Sequence, residues 1–255
     1  MKPPLFEVRE LSKYFGGLKA LDQVDFKGFA GEILGLVGPN GAGKTVCFNC
    51  LSGVYKPTRG RIDFNGERID GLPPSLIARK GIGRTFQIVK PFADLTGLEN
   101  VLVARGSNRY GRFGRIWSTW KAATEKEKAL ETLKQVGLAD CAQRKAGLLP
   151  LGNLRRLEIA RALIVGSRLL LLDESFSGLR AGEIAQLEEL IRDICRNNIT
   201  ILLIEHNMRV TMELCERIVV LDHGRKIAEG VPSVIQQDER VIEAYLGRKR
   251  SSYAA

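Results

Sequence analysis

Gly38-Pro39-Asn40-Gly41-Ala42-Gly43-Lys44-Thr45 fits the pattern G-x-x-x-x-G-K-[ST]. Glu32 to Val37, just before it, reads as a buried strand. Val46 to Leu51, just after it, reads as a helix closed by Ser52-Gly53. A phosphate-cradling loop needs that context. Its glycines let the backbone wrap closely, so that several N–H groups point inward at phosphate oxygens. The helix N-terminus adds partial positive charge at the same place. In such a loop Lys44 supplies a point charge for the β and γ phosphates, and the Thr45 hydroxyl ligates Mg²⁺.

The chain has 255 residues, enough for one large domain or two small ones, and a hydrophobic fraction of 44% supports a globular core. No uninterrupted apolar run approaches the roughly 18–20 residues that cross a bilayer, and no secretory signal opens the sequence. A soluble, intracellular chain that meets a membrane only through partners is expected. The net charge of +10 fits nucleic acid, an anionic membrane surface or a charged nucleotide, beside the plain reading of a solvated basic surface. Cys47 and Cys50 form a C-x-x-C inside the loop helix, with no second pair at zinc spacing, so buried thiols in a reducing compartment are expected.

Outward from the loop, Leu5 to Val8 and Ala20 to Phe26 read as strands around Tyr14-Phe15-Gly16-Gly17. Phe15 either stacks on a base or packs in a hairpin core. Arg61 to Phe64 alternates like a strand before the turn Asn65-Gly66. Gln87 follows the β-prone run Gly83-Arg84-Thr85-Phe86, where it could reach a metal or a water. From Val89 to Ile164 the pattern is helical. Thr96 and Glu99 form a capping box, and a charged helix runs from Ala122 to Val136 before Gly137. Residues 105–121 interleave Arg105, Arg109, Tyr110, Arg112, Phe113, Arg115, Trp117, Trp120 and Lys121. That stretch suits RNA or a membrane interface, or a solvated loop with a packed Trp pair. Leu149 to Gly152 reads as a loop, and Asn153 to Ile164 as an amphipathic, basic helix.

Leu169 to Leu172 then runs into Asp173-Glu174, a buried parallel strand with carboxylates at its C-terminal end, where open α/β sheets place ligands. Asp173 suits Mg²⁺ and Glu174 the attacking water. A helix follows over 183–196, then the apolar strand Ile199 to Ile204 ending in Glu205-His206. His206 is placed to hydrogen-bond a γ-phosphate. Val219-Val220-Leu221 and Lys226-Ile227-Ala228 read as hairpin arms with His223 in the turn.

Taken in this order, the phosphate loop, Gln87, a signature-like segment, Asp173-Glu174 and His206 resemble the ATP-binding subunit of an ABC transporter. The stretches Phe15-Gly16-Gly17-Leu18, Arg84-Thr85-Phe86-Gln87, 95–101, 155–163 and Ala244-Tyr245-Leu246-Gly247 are similar to the branched-chain amino-acid importer subfamily. The resemblance implies an α/β fold: a RecA-like P-loop core over 1–88 and 165–240 with an antiparallel β part. It also implies a helical subdomain over 89–164 and a C-terminal extension over 241–255. Phe15 would stack on adenine, and residues Gly38 to Val46 would hold ATP. Lys44, Thr45, Asp173 and Gln87 would serve phosphate and Mg²⁺. Glu174 would be the general base and His206 the γ-phosphate switch, and the region from Gln87 to Asn100 would dock a permease. The implied partners are a second ATPase set head to tail, two membrane permeases and, indirectly, a periplasmic solute-binding protein, at the cytoplasmic face of the inner membrane. Nucleic acid is disfavoured.

The sequence departs from the family where that second ATPase is concerned. The usual Leu-Ser-x-Gly-Gln signature is here Leu149-Pro150-Leu151-Gly152-Asn153. Pro150 has no hydroxyl and no N–H for a γ-phosphate on the opposite subunit, a loss on the order of 1.5–3 kcal/mol. Val46 replaces a common second Thr, Ser175 the usual Pro after the general base, and Arg180 a common Asn or Asp. A heterodimer with a paralogue bearing an intact signature is therefore expected. The other readings are a soluble ABC ATPase acting on ribosomes or nucleic acid, a lipopolysaccharide-export or urea-type transport ATPase, and a regulatory subunit that binds ATP without turnover.

Overall fold

The computed structural model describes residues 3–85, 90–107 and 119–246, with the backbone alone at 107, 119–122 and 246. Gln87, the tail from Gly247 and most of the basic aromatic stretch lie outside the described residues. In chain order the elements are β1 (Pro4–Phe15), β2 (Leu18–Phe29), β3 (Ile33–Val37), α1 (Lys44–Leu51), β4 (Arg59–Phe64), β5 (Glu67–Arg68), α2 (Pro74–Arg79) and β6 (Ile82–Arg84). Next come α3 (Gly97–Ser107), α4 (Thr119–Gln135), α5 (Leu151–Leu163), β7 (Leu169–Asp173), α6 (Ala181–Arg196) and β8 (Thr200–Ile204). The chain closes with α7 (Met208–Leu214), β9 (Arg217–Asp222), β10 (Arg225–Gly230), α8 (Pro232–Ile235) and α9 (Glu239–Leu246). These form two compact units, Met1–Pro73 with Thr200–Ala255, and Pro74–Ile199.

The first unit holds two sheets. β1 pairs antiparallel with β2 on one side and β4 on the other, and β5 extends the sheet from β4. Phe6 meets Phe26 edge to face at 5.9 Å, and Phe6, Phe64, Leu11 and Leu21 are fully buried. Both hairpin strands are longer than the alternation of the sequence suggests. Register shifts interrupt their pairing, and Glu10 and Gln23 take positive φ values of 47° and 55°. Such bulges break the period-two pattern while the pairing continues past them. In the second sheet β3 lies between β8 and β9, parallel to both, and β10 returns antiparallel along β9. All five residues of β3 and of β8 are buried, as expected of parallel strands covered on both faces. His223 sits in the β9–β10 turn with φ 44°.

In the second unit β6 and β7 pair parallel, and α3, α4 and α5 pack together. Thr96 and Glu99 form the expected capping box at α3: the Glu99 carboxylate accepts from the Thr96 N–H at 2.7 Å, and the Glu99 N–H donates to the Thr96 hydroxyl at 3.2 Å. Helix α6 buries Leu187, Leu190, Ile191 and Ile194, one stripe at helical spacing. Helix α5 differs from expectation in two ways. It begins at Leu151, not Asn153, because Pro150 at φ −57° serves as N-cap and its carbonyl accepts the first helical bond, from Leu154, at 3.0 Å. It is also not amphipathic. Arg155 and Glu158 are buried with Leu157, Ile159 and Ala160, so charged and apolar positions share the interior. Arg105 is structural: its guanidinium donates to Glu125 at 2.8 Å and to the Ile164 carbonyl at 3.2 Å.

Candidate nucleotide site

In the first unit β3 delivers the chain into the loop from Gly38 to Gly43, and α1 begins at Lys44. The loop is drawn tight. Gly38 has φ +149°, and a Cβ there would lie 2.0 Å from the Leu221 carbonyl oxygen. Gly43 has φ +99°, and a Cβ there would lie 2.5 Å from the Ala20 carbonyl oxygen. Only glycine fits between the turn and its backbone neighbours. Lys44 is buried, and its ammonium donates to the carbonyls of Gly38 at 2.7 Å and Pro39 at 3.0 Å. The ammonium thus sits inside the curl, where a phosphate-binding cation belongs. Thr45 and Asn40 are exposed, Pro39 and Val46 half-buried, and Ala42 buried. This cradle fits a polyphosphate, with the Thr45 hydroxyl available to a cation.

Strands β3 and β8 run parallel in the register Ile33 to Ile201 and Gly35 to Leu203, so both deliver their following residues at the same, C-terminal, end of the sheet. Glu205 is buried there, and His206 is exposed. Phe15 ends β1, 42% exposed, so it is not the hairpin-core residue that was the alternative. Cys47 and Cys50 are buried and free, and burial pushes both thiols up, Cys50 to about 11. Beside the loop lies a cavity of about 610 Å³ lined by Pro39, Asn40, His223, Arg240 and Glu243 among others. The extension helix α9 therefore neighbours the phosphate loop, a placement with no local sequence signal.

In the second unit β7 ends at buried Asp173, and half-buried Glu174 follows in the left-handed region at φ 50°. For a residue other than glycine that conformation costs of order 1–3 kcal/mol and is common at functional sites. Half-buried Arg84, at the end of β6, donates to the buried Asp173 carboxylate at 3.0 Å. The Asp173 N–H donates to the Thr85 hydroxyl at 3.3 Å, and that hydroxyl lies 3.3 Å from the Ser175 hydroxyl. Ser175, where the family usually has Pro, thus gains a buried partner. The strand order explains the pairing: β6 beside β7 brings Arg84-Thr85 to the acids. The stretch Arg84-Thr85-Phe86-Gln87 suggested the family, but not that Arg84 would meet Asp173.

The signature segment opens α5. Leu149 is buried, while Pro150 and Leu151 are exposed. Gly152 is buried against Glu183, whose carboxylate oxygen lies 2.7 Å from where a Cβ would sit. The Asn153 amide donates to the Cys141 sulfur at 3.7 Å. Arg180 precedes α6, and its N–H donates to Glu183 at 2.9 Å.

A buried parallel strand, a glycine loop closed around a lysine ammonium and a helix beginning at that lysine define a P-loop nucleotide-binding protein. Residues 21–177 match the ABC transporter family, and residues 225–250 match the branched-chain amino acid ATP-binding cassette transporter family. The chain belongs to the ABC transporter family. It is 42% identical over 253 residues to the high-affinity branched-chain amino acid transport ATP-binding protein BraF of Pseudomonas aeruginosa, covering 97% of this chain and 99% of the relative. LivG of Escherichia coli, of the same description, matches with the same identity and coverage. The lipopolysaccharide export system ATP-binding protein LptB of Haemophilus influenzae is 31% identical over 245 residues, covering 96% of this chain and 98% of that protein. A crystal structure of the ADP conformation of an ATP-binding cassette of an ABC transporter superposes with TM-score 0.86 at 29% identity, over 96% of this chain and all of that one. A nucleotide-free cassette gives TM-score 0.85 at the same identity and coverage of this chain. The chain is an ATP-binding protein and an ATPase of the ABC transporter family. Among the described residues no helix is long and apolar enough to cross a membrane.

Proposed function

We propose that this chain is the ATP-hydrolysing subunit of an ABC importer for branched-chain amino acids or related small polar solutes, peripheral to the cytoplasmic face of the inner membrane. The observation that carries the reading is its likeness to named branched-chain amino acid transport ATPases along nearly the whole of both chains, with the second family match at the C-terminus. In this reading 1–88 and 165–240 form the nucleotide-binding core, 89–164 the helical subdomain and 241–255 the extension. Lys44 and the N–H groups from Gly38 to Val46 hold the phosphates, and Phe15 stacks on the base. Thr45, Asp173 and Gln87 hold Mg²⁺. Bound Mg²⁺ supplies Lewis-acid stabilisation of phosphoryl charge. Glu174 orients the attacking water and takes its proton, and His206 hydrogen-bonds the γ-phosphate. Arg84, at 3.0 Å from Asp173, keeps that carboxylate in place.

The partners are two permeases, a periplasmic solute-binding protein reached through them, and a second ATPase set head to tail. That second ATPase is a paralogue with an intact signature. Pro150 supports this choice: it caps α5 with no side-chain hydrogen bond, so it brings no hydroxyl to a phosphate held by another subunit. The competent site then pairs this chain's phosphate loop with the paralogue's signature. The test is to tag the N-terminus, purify the chain from detergent-solubilised native membranes and identify its companions by mass spectrometry. Two permeases and a second ATPase with Leu-Ser-x-Gly-Gln support the reading. Ribosomal proteins or nucleic acid without a permease refute it, and a lipopolysaccharide-export assembly replaces the importer. A homodimer of this chain that hydrolyses ATP at ~1–10³ s⁻¹ refutes the paralogue.

A further inference from the structure

Phe15 does not stand alone at the end of β1. Tyr55 meets it edge to face, with centroids 5.3 Å apart and planes at 75°. The Lys13 ammonium lies 5.0 Å from the Phe15 ring centre and 5.7 Å from that of Tyr55. Both neighbours are anchored. The Tyr55 N–H donates to the Asn49 carbonyl of α1 at 2.9 Å, and the Lys13 ammonium donates to the Lys56 carbonyl at 3.0 Å. The Tyr14 N–H donates to the Thr58 hydroxyl at 3.0 Å, and the Thr58 N–H to the Ser12 carbonyl at 2.8 Å. The end of β1 is therefore tied to the segment leaving the helix that starts at Lys44 and Thr45.

We propose that Tyr55 and Lys13 are positioning residues for base recognition, holding the Phe15 ring at a set place relative to the phosphate loop. The proposal rests on the reading of Phe15 as the base-stacking residue. A half-exposed phenylalanine at a hairpin tip otherwise samples several rotamers, and ordering it on binding would cost affinity. An aromatic edge on one side and a cation against the ring remove that freedom beforehand. The cation also draws density from the ring, which favours its stacking on an electron-rich purine. The ring is thus prepared for a base, while the phosphates are held by a separate part of the site.

The experiment compares equilibrium binding of ATP and of inorganic tripolyphosphate, which has no base, by calorimetry on the full chain. The variants are Phe15→Ala, Tyr55→Ala, Tyr55→Leu, Tyr55→Phe and Lys13→Met. Phe15→Ala should weaken ATP roughly 5- to 100-fold, the range of one base stack. Tyr55→Ala and Tyr55→Leu should weaken ATP roughly 2- to 10-fold. Lys13→Met should weaken it about 2- to 5-fold. Tyr55→Phe should bind ATP like the unchanged chain, and tripolyphosphate affinity should stay constant throughout. If Phe15→Ala weakens ATP while Tyr55→Leu and Lys13→Met do not, the positioning role is wrong and the stacking role stands. If Phe15→Ala leaves ATP affinity unchanged, the stacking role itself fails. Equal loss of ATP and tripolyphosphate in the Tyr55 variants would overturn the proposal, because Tyr55 would then act by supporting α1.

Discussion

Replacing Glu158 by Gln should remove a pH dependence from the stability of this chain. Glu158 lies on α5, 7% exposed. Among the described residues it pairs with the Arg155 guanidinium at 3.9 Å, and its Oε2 makes no hydrogen bond to any of them. Burial is the largest influence on the carboxyl and lifts it to about 7. Arg155, the Lys90 backbone N–H and Arg161 offset only part of that. The folded chain therefore keeps the proton over a range where the unfolded chain, at 4.5, has released it. Stability is lost as pH rises from 4.5 through about 7, and no further loss from this group occurs above that. At about 1.4 kcal/mol per pH unit, the ionised carboxylate costs the folded chain about 3 kcal/mol. Gln keeps the shape and carries no charge at any pH. Urea unfolding of the two chains should give nearly equal stabilities near pH 4, and Glu158→Gln should lead by about 3 kcal/mol near pH 8.5. Other titrating groups cancel in the difference. A difference that does not change with pH refutes the reasoning. So does a loss on substitution at pH 8.5, which would mean that pairing with Arg155 and Arg161 outweighs burial.

Lys44→Ala should weaken ATP at least tenfold in equilibrium dialysis, because charge-assisted bonds to phosphate are worth ~1.5–3 kcal/mol; a change under twofold refutes the role of the cradle. Glu174→Gln should slow single-turnover phosphate release by ~10²–10⁴-fold while ATP affinity stays within about threefold, and equal losses in both would deny it the general-base role. Gly38→Ala should lower the thermal midpoint by about 4–8 °C, since its Cβ meets the Leu221 carbonyl oxygen at 2.0 Å. Calorimetry showing no shift would mean that the loop is not held as described. Phe48→Ala, at a fully buried position of α1, should cost about 3–5 kcal/mol in urea unfolding, and a cost under 1 kcal/mol would place Phe48 outside the core.

The features legible in the sequence are those whose signal is local. Eight consecutive residues specify the phosphate loop, because glycine spacing and the lysine that follows act within one turn of backbone. Four leucines running into Asp173-Glu174 declare a buried strand with acids at its end, and Ile199 to Ile204 running into Glu205-His206 does the same. Thr96 and Glu99 cap α3 across three residues. The rest depended on partners far away in the chain. Arg84 meets Asp173 across 89 positions only because β6 lies beside β7. Phe15 is exposed and braced by Tyr55 only because the segment after α1 returns to the end of β1. Bulges at Glu10 and Gln23 hid the length of the hairpin from any period-two reading. Helix α5 looked amphipathic because a sequence records charge but not burial, and Glu158 acquires its raised pKa only from the residues packed around it. The loop's chemistry was thus determined by the sequence itself. The ion pair at Asp173, the raised carboxyl of Glu158 and the ring contacts of Phe15 were decided by tertiary packing, since desolvation and ring contacts exist only once distant segments have met.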